Sequence, residues 1–453
     1  MPEGLKRKII DLSRYHYTLE KLDSIKSEGR VKQVIGLVVE SEGPASQVGE
    51  LCYINCQGQA ENYVLAEVVG FKEHSVLLMP LGEMGGIRPG STVVATGGSQ
   101  SINVGPELLG RIVDTLGNPL DKGPPVITKT RYLLDNTPPH PLLRRRVTEK
   151  LTLGVKAIDG LLTCGKGQRI GIFSGSGVGK STLLGMIARH SSADINVIGL
   201  IGERGREVRD FVERDLKEEG LQKSVIVVVT SDQPALLRIK GAFTATAIAE
   251  YFRDQGHNVM LMIDSITRFA TAKREVGLSI GEPPATRGYT PSVYAILPKL
   301  LERSGNSDKG SITALYTVLV EGDDMNEPIT DITRSILDGH VVLSRDLASL
   351  NQYPSIDVLS SISRLAVDIT TPEQQQLVAN IKEILAVYKQ AEDLINIGAY
   401  VAGSNPKIDY AISMYDKIIS FLKQGISENF SYEQTLKFME QIFVEEKKKG
   451  GRR

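Results

Sequence analysis

Tryptophan is absent from this sequence, and cysteine occurs only at Cys52, Cys56 and Cys164. Three scattered cysteines are too few for a disulfide framework or a four-ligand zinc site, so we expect reduced, packed thiols. No apolar run is long enough for a signal peptide or a membrane-spanning helix. These absences predict a protein that stays in the cytoplasm.

The sequence also lacks a surplus of charge of either sign. Its 53 basic and 54 acidic side chains leave a formal net charge of -1, which provides no general attraction to nucleic acid or to an anionic membrane. Any such contact would have to be local. A chain of 453 residues exceeds what one hydrophobic core usually holds, so we expect more than one domain.

Hydrophobic patterning divides the chain into four segments. Residues 1–27 repeat apolar side chains every three to four positions, which predicts an amphipathic helix that could meet a membrane surface, a partner or its own domain. Residues 28–97 contain short β-rich runs, as in a small β-barrel. Residues 98–370 alternate apolar strands with helices, which is typical of a parallel sheet buried on both faces. Residues 371–453 predict a helical domain.

Local signals indicate how the chain enters and leaves these segments. The stretch from Leu120 to Pro141 is rich in Pro and Gly, so we expect it to run irregularly over the surface. Thr371, followed by Pro372 and Gln374, predicts a helix start closed by a capping box. A later helix is expected to restart at Ser431.

A glycine-rich loop lies between the predicted strand Arg169 to Ser174 and a predicted helix that begins at Lys180. Glycines allow backbone N–H groups to wrap phosphates, and the helix N-terminus adds the positive end of its dipole. The pattern predicts ATP binding, with Lys180 on the β- and γ-phosphates and Ser181 on Mg²⁺. Ser174 replaces the glycine that begins the strict pattern. The expected nucleotide-binding residues of this loop are Ser174, Gly175, Ser176, Gly177, Val178, Gly179, Lys180, Ser181 and Thr182.

Carboxylates follow two apolar strands of the same predicted sheet. Asp264 comes directly after Val259 to Ile263, at the strand end where open α/β sheets bind ligands, so we expect it to hold Mg²⁺ through water. Its alternative role is to cap the next helix. Glu203 follows Val197 to Ile201 and could orient the water that attacks the γ-phosphate. Glu207 could do the same, and the residues alone do not decide between the two glutamates.

Further motifs closely resemble the ATPase of the flagellar protein-export apparatus. The resemblance runs from about residue 25 to about residue 440, and it is carried by Gly202 to Glu207, Asp264 to Arg268, Gly281 to Tyr289 and Val320 to Pro328. The loop that contains Met325 to Pro328 is more specific to export ATPases than the glycine-rich loop. The resemblance implies an α/β P-loop NTPase core with a RecA-like parallel sheet, an N-terminal small β-barrel and a C-terminal helical domain.

The resemblance also implies roles for single residues. Glu203 falls on the family's catalytic carboxylate, in preference to Glu207. Arg364 falls on the arginine that reaches the neighbour's γ-phosphate in a homohexamer, and Tyr353 matches an aromatic that packs on adenine. The alternative for Tyr353 is a core tyrosine. The candidate catalytic residues are therefore Glu203, Lys180 and Arg364.

The same family implies a biological role and a set of partners. ATP hydrolysis is expected to drive or prime export of flagellar proteins at the cytoplasmic face of the inner membrane. The implied partners are export substrates with their chaperones, a membrane export gate and a dimeric regulator on the N-terminal helix. Peripheral contact with the membrane fits this role, and no nucleic acid is expected.

Three other functions share parts of the pattern. An injectisome ATPase of virulence secretion carries nearly every motif. A non-catalytic subunit of a rotary ATP synthase should lack Glu203 or an intact phosphate loop, and this chain has both, so only a catalytic subunit fits that comparison. An RNA-translocating hexamer of the Rho type needs a basic, aromatic groove, and Tyr53, Tyr63 and Phe71 of the barrel region have no dense basic pattern around them.

Overall fold

The computed structural model describes residues 27–56 and 63–450. The amphipathic helix expected at residues 1–27 therefore lies outside the described residues, apart from its last position. Two compact units make up the chain, one ending at Ser99 and the other beginning at Gln100. Among the described helices, none is both long and apolar enough to cross a membrane.

The first unit is a closed barrel of antiparallel strands, as the sequence predicted. Its strands pair in the order β1-β2-β5-β4-β3-β6, and β6 pairs with β1. Alternate side chains point inward along each strand, so Val39, Ile54, Val68 and Leu78 are fully buried. The strands are β1 (Glu28–Ile35), β2 (Val38–Glu42), β3 (Glu50–Asn55), β4 (Tyr63–Lys72), β5 (Ser75–Pro80) and β6 (Thr92–Ser99).

The second unit is built around a mostly parallel sheet. Its strands are β7 (Ser101–Val104), β8 (Ile112–Val113), β9 (Thr130–Leu133), β10 (Lys150–Leu151), β11 (Cys164–Gly165), β12 (Arg169–Ser174), β13 (Ile195–Glu203), β14 (Ser224–Thr230), β15 (Asn258–Asp264), β16 (Gly305–Asn306), β17 (Ser311–Leu319), β18 (Gly339–Leu343) and β19 (Ile356–Ser363). The sheet order is β19-β18-β12-β17-β15-β13-β14-β8. Neighbours along this path are parallel except β18 and β19, and β16 pairs antiparallel with β17.

Helices cover the sheet and form the C-terminal region. Because β13 is buried along nearly its whole length, both faces of the sheet are covered. A π-helical segment, Phe211–Leu216, lies between the third and fourth helices. The α-helices are α1 (Lys156–Leu161), α2 (Lys180–His190), α3 (Gly205–Asp210), α4 (Lys217–Gln222), α5 (Ala235–Asp254), α6 (Ile266–Ser279), α7 (Pro291–Leu301), α8 (Pro328–Ile336), α9 (Arg345–Ser349), α10 (Ala366–Ile369), α11 (Pro372–Asn396), α12 (Pro406–Leu422) and α13 (Tyr432–Gly450).

The last three helices share one apolar core with the sheet. Ile381 of α11, Met414 and Phe421 of α12 and Met439 of α13 belong to the same buried cluster as Ile172 of β12. Burial of these side chains removes apolar surface from water and holds the helices against the phosphate-loop strand. The predicted architecture, an α/β P-loop core with a small β-barrel and a C-terminal helical domain, is confirmed.

Two local expectations were wrong. The stretch from Leu120 to Pro141 is not wholly irregular, because β9 lies within it and pairs antiparallel with β7. Thr371 does cap α11, but the Gln374 side chain does not return to it. That side chain is buried and donates instead to the Gly160 carbonyl oxygen at 3.1 Å. A reciprocal capping box forms at Ser431, where α13 begins.

Candidate active site

The phosphate loop connects β12 to α2. Gly177 and Gly179 have φ values of 78° and 91°, a left-handed region that favours glycine. The Val178 carbonyl oxygen accepts a hydrogen bond of 2.7 Å from the Ser355 hydroxyl, which fixes the middle of the loop. Helix α2 begins at Lys180 without a side-chain cap, so its first N–H groups can bind an anion. Ser355 was not predicted, because a serine 177 positions away carries no local signal.

Lys180 lies between the two carboxylates that the sequence singled out. Its Nζ forms an ion pair with Asp264 Oδ1 and lies 3.7 Å from Glu203 Oε1. The side chains of Lys180, Glu203 and Asp264 are exposed by only 12%, 12% and 5%. Burial opposes the positive charge, but the two carboxylates outweigh it and raise the pKa of Lys180. The lysine therefore stays an ammonium group.

Asp264 ends β15 and is anchored by a residue of the adjacent strand. The Thr317 hydroxyl donates a hydrogen bond of 2.7 Å to Asp264 Oδ1. The helix-cap role belongs to Ser265, whose Oγ accepts from the Arg268 N–H at 3.3 Å. Thr317 was missed because a threonine inside a strand is common, and only the register of β15 against β17 reveals its partner. Asp264 is thus a fixed carboxylate at the carboxyl end of the sheet.

The donor set around the loop fits a magnesium ion held partly by phosphates. Asp264 supplies carboxylate oxygens, and Ser181 supplies an exposed hydroxyl on the first turn of α2. Mg²⁺ prefers oxygen ligands and usually takes only one or two from the protein. Among the residues that the structure describes, no group of three or more His, Cys, Asp or Glu side chains could hold a metal ion. A magnesium ion at this site would therefore need phosphate oxygens or water as further ligands.

Glu203 and Glu207 occupy different environments. Burial, reinforced by the charge of Asp264, raises the pKa of Glu203 to about 7, although Lys180 opposes the shift. The Glu207 side chain is half exposed, and a hydrogen bond with Glu203 lowers the pKa of its carboxyl. A carboxylate whose pKa lies near neutral pH is matched to general-base catalysis. Its burial and its position 3.7 Å from Lys180 favour Glu203 for that role.

The raised pKa of Glu203 predicts a pH dependence of hydrolysis. Only the ionised carboxylate can accept a proton from water, so kcat/KM for ATP should rise with pH through about 7 and fall about tenfold per pH unit well below it. Steady-state rates across the range from about pH 5.5 to pH 9 measure this profile. Glu207→Gln should keep a rise of the same slope but move it to lower pH, because the Glu207 carboxyl helps to raise the pKa of Glu203. A flat profile in the wild type would contradict the assignment.

Replacement of Glu203 by glutamine should separate ATP binding from cleavage. The amide keeps the size of the side chain but accepts no proton, so we expect kcat to fall on the order of 10²-fold. Binding of a fluorescent ATP analogue should remain, because Lys180 and the phosphate loop are unchanged. Glu207→Gln is the matched control and should retain wild-type turnover. Loss of binding in Glu203→Gln would indicate a structural role for this glutamate.

The Tyr353 ring lies next to Gly179, the residue that precedes α2. Its ring carbons lie 3.6 Å from the point where a Cβ on Gly179 would be, and 42% of the residue is exposed. The Gln424 N–H, which follows α12, donates 2.9 Å to the Tyr353 carbonyl oxygen and fixes the backbone there. Tyr353 is thus not a core tyrosine, and its exposed ring can stack on a flat apolar ligand.

Arg364 is the one candidate that the structure does not bring to the phosphate loop. It follows β19, whose end Ser363 pairs with Gly339, whereas Ser174 pairs with Leu343 at the other end of β18. Gly339 and Leu343 are four positions apart on β18, a distance of about 13 Å along the strand. The exposed Arg364 side chain donates instead to the carbonyl oxygen of Arg334 at 3.2 Å. Arg364 therefore lies near the amino ends of the parallel strands, whereas Lys180 lies at their carboxyl ends.

Family models match three successive parts of the chain. Residues 31–97 match the beta-barrel domain of the ATP synthase alpha/beta family, and residues 154–363 match its nucleotide-binding domain. Residues 370–441 match the T3SS EscN ATPase C-terminal domain. All three parts of the chain thus have counterparts in known families.

Whole-chain relatives extend these matches. The flagellum-specific ATP synthase of Bacillus subtilis is 56% identical over 92% of this chain and 95% of its own. The type 3 secretion system ATPase of Sinorhizobium fredii is 45% identical over 94% of each chain. The structure of the assembled ATPase EscN from the type III secretion system of enteropathogenic E. coli superposes with a TM-score of 0.87 at 47% identity, over 91% of this chain and 99% of that one. The chain therefore belongs to the family of flagellum-specific ATP synthases and type III secretion ATPases, and it is an ATP-hydrolysing enzyme of type III protein export.

Proposed function

We propose that this chain is the ATPase of a flagellar export apparatus and that Lys180, Glu203 and Asp264 form the catalytic half of its site. The placement of Lys180 between the buried Asp264 and the largely buried Glu203 at the carboxyl end of the sheet carries this proposal. The flagellar assignment is supported by the 56% identity with the Bacillus flagellar relative, against 45% with the Sinorhizobium secretion ATPase.

ATP binding is proposed to involve the whole loop from Ser174 to Thr182. Backbone N–H groups of the loop and of the first turn of α2 bind the phosphates. Lys180 exchanges its contact with Asp264 for contacts with the β- and γ-phosphates, and Tyr353 stacks on adenine. The phosphate oxygens thereby occupy the most positive part of the site.

Hydrolysis is proposed to begin when Glu203 takes a proton from the attacking water. Its buried carboxylate lies close enough to Lys180 to face the γ-phosphate that the lysine binds. Asp264, through water, and Ser181 would hold Mg²⁺. The bound ion would neutralise charge that develops on the phosphate oxygens.

Completion of the site is proposed to require a neighbouring copy of the chain in a homohexamer. Arg364 is exposed and lies at the opposite edge of the sheet, so it is available to the phosphate loop of a neighbour and not to its own. An arginine supplied in this way stabilises negative charge in the transition state. Each active site would then combine Glu203 of one chain with Arg364 of the next.

The partners and location follow from the proposed role. We infer that the enzyme works peripherally at the cytoplasmic face of the inner membrane and receives export substrates with their chaperones. A dimeric regulator would bind the N-terminal segment of residues 1–27, and the ring would act beside a membrane export gate. No nucleic-acid partner is proposed.

Deletion of the coding sequence tests the biological role. A strain without the chain should stop exporting flagellar filament protein, and wild-type chain should restore export. Glu203→Gln chain should not restore it, whereas Glu207→Gln chain should. Normal flagellar export in the deletion strain, with loss of another secreted set, would contradict the flagellar assignment and favour the injectisome.

A further inference from the structure

Asp323 and Asp324 follow β17 and lie beside the phosphate loop. Each forms an ion pair with a different arginine. Asp323 Oδ2 lies 3.7 Å from Arg345 Nε, at the start of α9. Asp324 Oδ2 lies 2.7 Å from Arg287 Nη2, in the loop between α6 and α7. The segment of residues 321–324 is therefore tied to the start of one helix and to one loop of the second unit.

The Asp323–Arg345 pair rests directly on the first turn of the phosphate loop. A Cβ on Gly175 would lie 2.9 Å from Arg345 Nη2 and 2.9 Å from Asp323 Oδ1. Gly175 does not have a positive φ, so its backbone could accept alanine. The backbone would therefore permit a Cβ at this position, and the Cβ would displace the ends of these two side chains. A phosphate loop as such permits many residues here, since the pattern leaves the position open.

The backbone around these ion pairs is also unusual. Asp323 and Arg287 have φ values of 59° and 51°, in the left-handed region that non-glycine residues seldom adopt. Such conformations persist only where surrounding contacts hold them, and they concentrate at functional sites. Each of these two residues is a member of one of the ion pairs. The arrangement is therefore held in place by several contacts at once.

We propose that Asp323 and Arg345 are positioning residues for the phosphate loop, and that Asp324 with Arg287 fixes the same segment from its other side. The inference rests on the proposed nucleotide site. Exposed ion pairs contribute little to stability, so the effect is expected in catalysis and not in folding. By covering Gly175, the pair restricts the first turn of the loop and keeps its N–H groups aimed at the phosphates.

Neutralising either partner should lower kcat without a large change in KM. Asp323→Asn and Arg345→Gln should each reduce kcat about tenfold, because a misplaced phosphate loop binds the transition state less well than the ground state. Arg287→Gln should act in the same direction with a smaller loss. The alternative is that Arg345 itself binds the phosphates. In that case Arg345→Gln would lower kcat, but Asp323→Asn would leave most of kcat intact.

A double-mutant cycle tests the pair. The double variant Asp323→Asn/Arg345→Gln should be no slower than either single variant, since one broken contact cannot be lost twice. Gly175→Ala should also cause a loss, because its Cβ displaces both side-chain ends while leaving their charges in place. In the double variant, Gly175→Ala should add nothing. Losses that multiply, or an unchanged kcat in Asp323→Asn, would overturn the proposal.

Matched controls separate this result from other failures. Arg209→Gln breaks an exposed ion pair of 2.8 Å with Glu213 in the same unit and should keep wild-type kcat. Melting temperatures should change little across the set, and a large fall in Asp323→Asn would assign the pair a structural role. The proposed nucleotide site is tested by Lys180→Ala alone, so its failure would be distinguishable from that of the pair.

Discussion

Replacement of Lys180 by alanine should lower the rate of ATP hydrolysis on the order of 10³-fold. The variant loses the largely buried ammonium group that is proposed to bind the β- and γ-phosphates. It also leaves Asp264 and Glu203 as buried carboxylates without their cation, so two like charges face each other. Turnover is measured by phosphate release, and nucleotide affinity by displacement of a fluorescent analogue.

The control for Lys180→Ala must exclude a general loss of structure. Lys407→Ala removes an exposed lysine that pairs with Glu383 at 3.4 Å, and it should keep wild-type turnover. Circular dichroism melting shows whether Lys180→Ala still folds. If it does not, Lys180→Ala/Asp264→Asn removes the repulsion and should fold while remaining inactive. Wild-type turnover in either Lys180 variant would refute the active-site assignment.

Arg364→Ala should cost about 10³-fold or more in turnover while leaving ATP binding to the same chain nearly unchanged. The reason is positional, because Arg364 lies at the sheet edge opposite to its own phosphate loop. Chains that carry Arg364→Ala still have an intact Lys180, and chains that carry Lys180→Ala still have an intact Arg364. When the two variants are mixed, some interfaces should combine both intact residues.

Random mixing of equal amounts should place both intact residues at roughly a quarter of the interfaces of a ring. Activity should therefore reappear in the mixture although each variant alone is inactive. Chains that carry both substitutions, mixed with Lys180→Ala chains, contain no intact site and should stay inactive. Two affinity tags show whether hexamers are mixed. Absence of restored activity in mixed hexamers would refute the role of Arg364 across the interface.

Local features of the chain were predictable because they depend on adjacent residues. The strand, glycine turn and helix from Arg169 to His190 form one continuous piece, and the left-handed turns at Gly177 and Gly179 need glycine wherever the loop is placed. The apolar runs that became β13 and β15 likewise predicted strands, with Glu203 and Asp264 at their ends.

Single contacts between distant residues were not predictable from the chain. The Gln374 side chain satisfied the capping-box pattern but is buried against Gly160, because packing of α11 on α1 outweighed the local signal. The Asp323–Arg345 pair on Gly175 likewise joins three separate segments. None of these contacts has a periodicity or a spacing that would reveal it.

The sequence by itself thus determined the nucleotide loop, the alternation of apolar strands and helices in the core, and the carboxylates at the strand ends. The tertiary structure alone decided that Lys180 lies between Glu203 and Asp264, that Thr317 anchors Asp264, and that Arg364 follows the strand end farthest from its own loop. The physical reason is that parallel strands are joined through long crossovers, so their register brings together side chains that no local pattern relates.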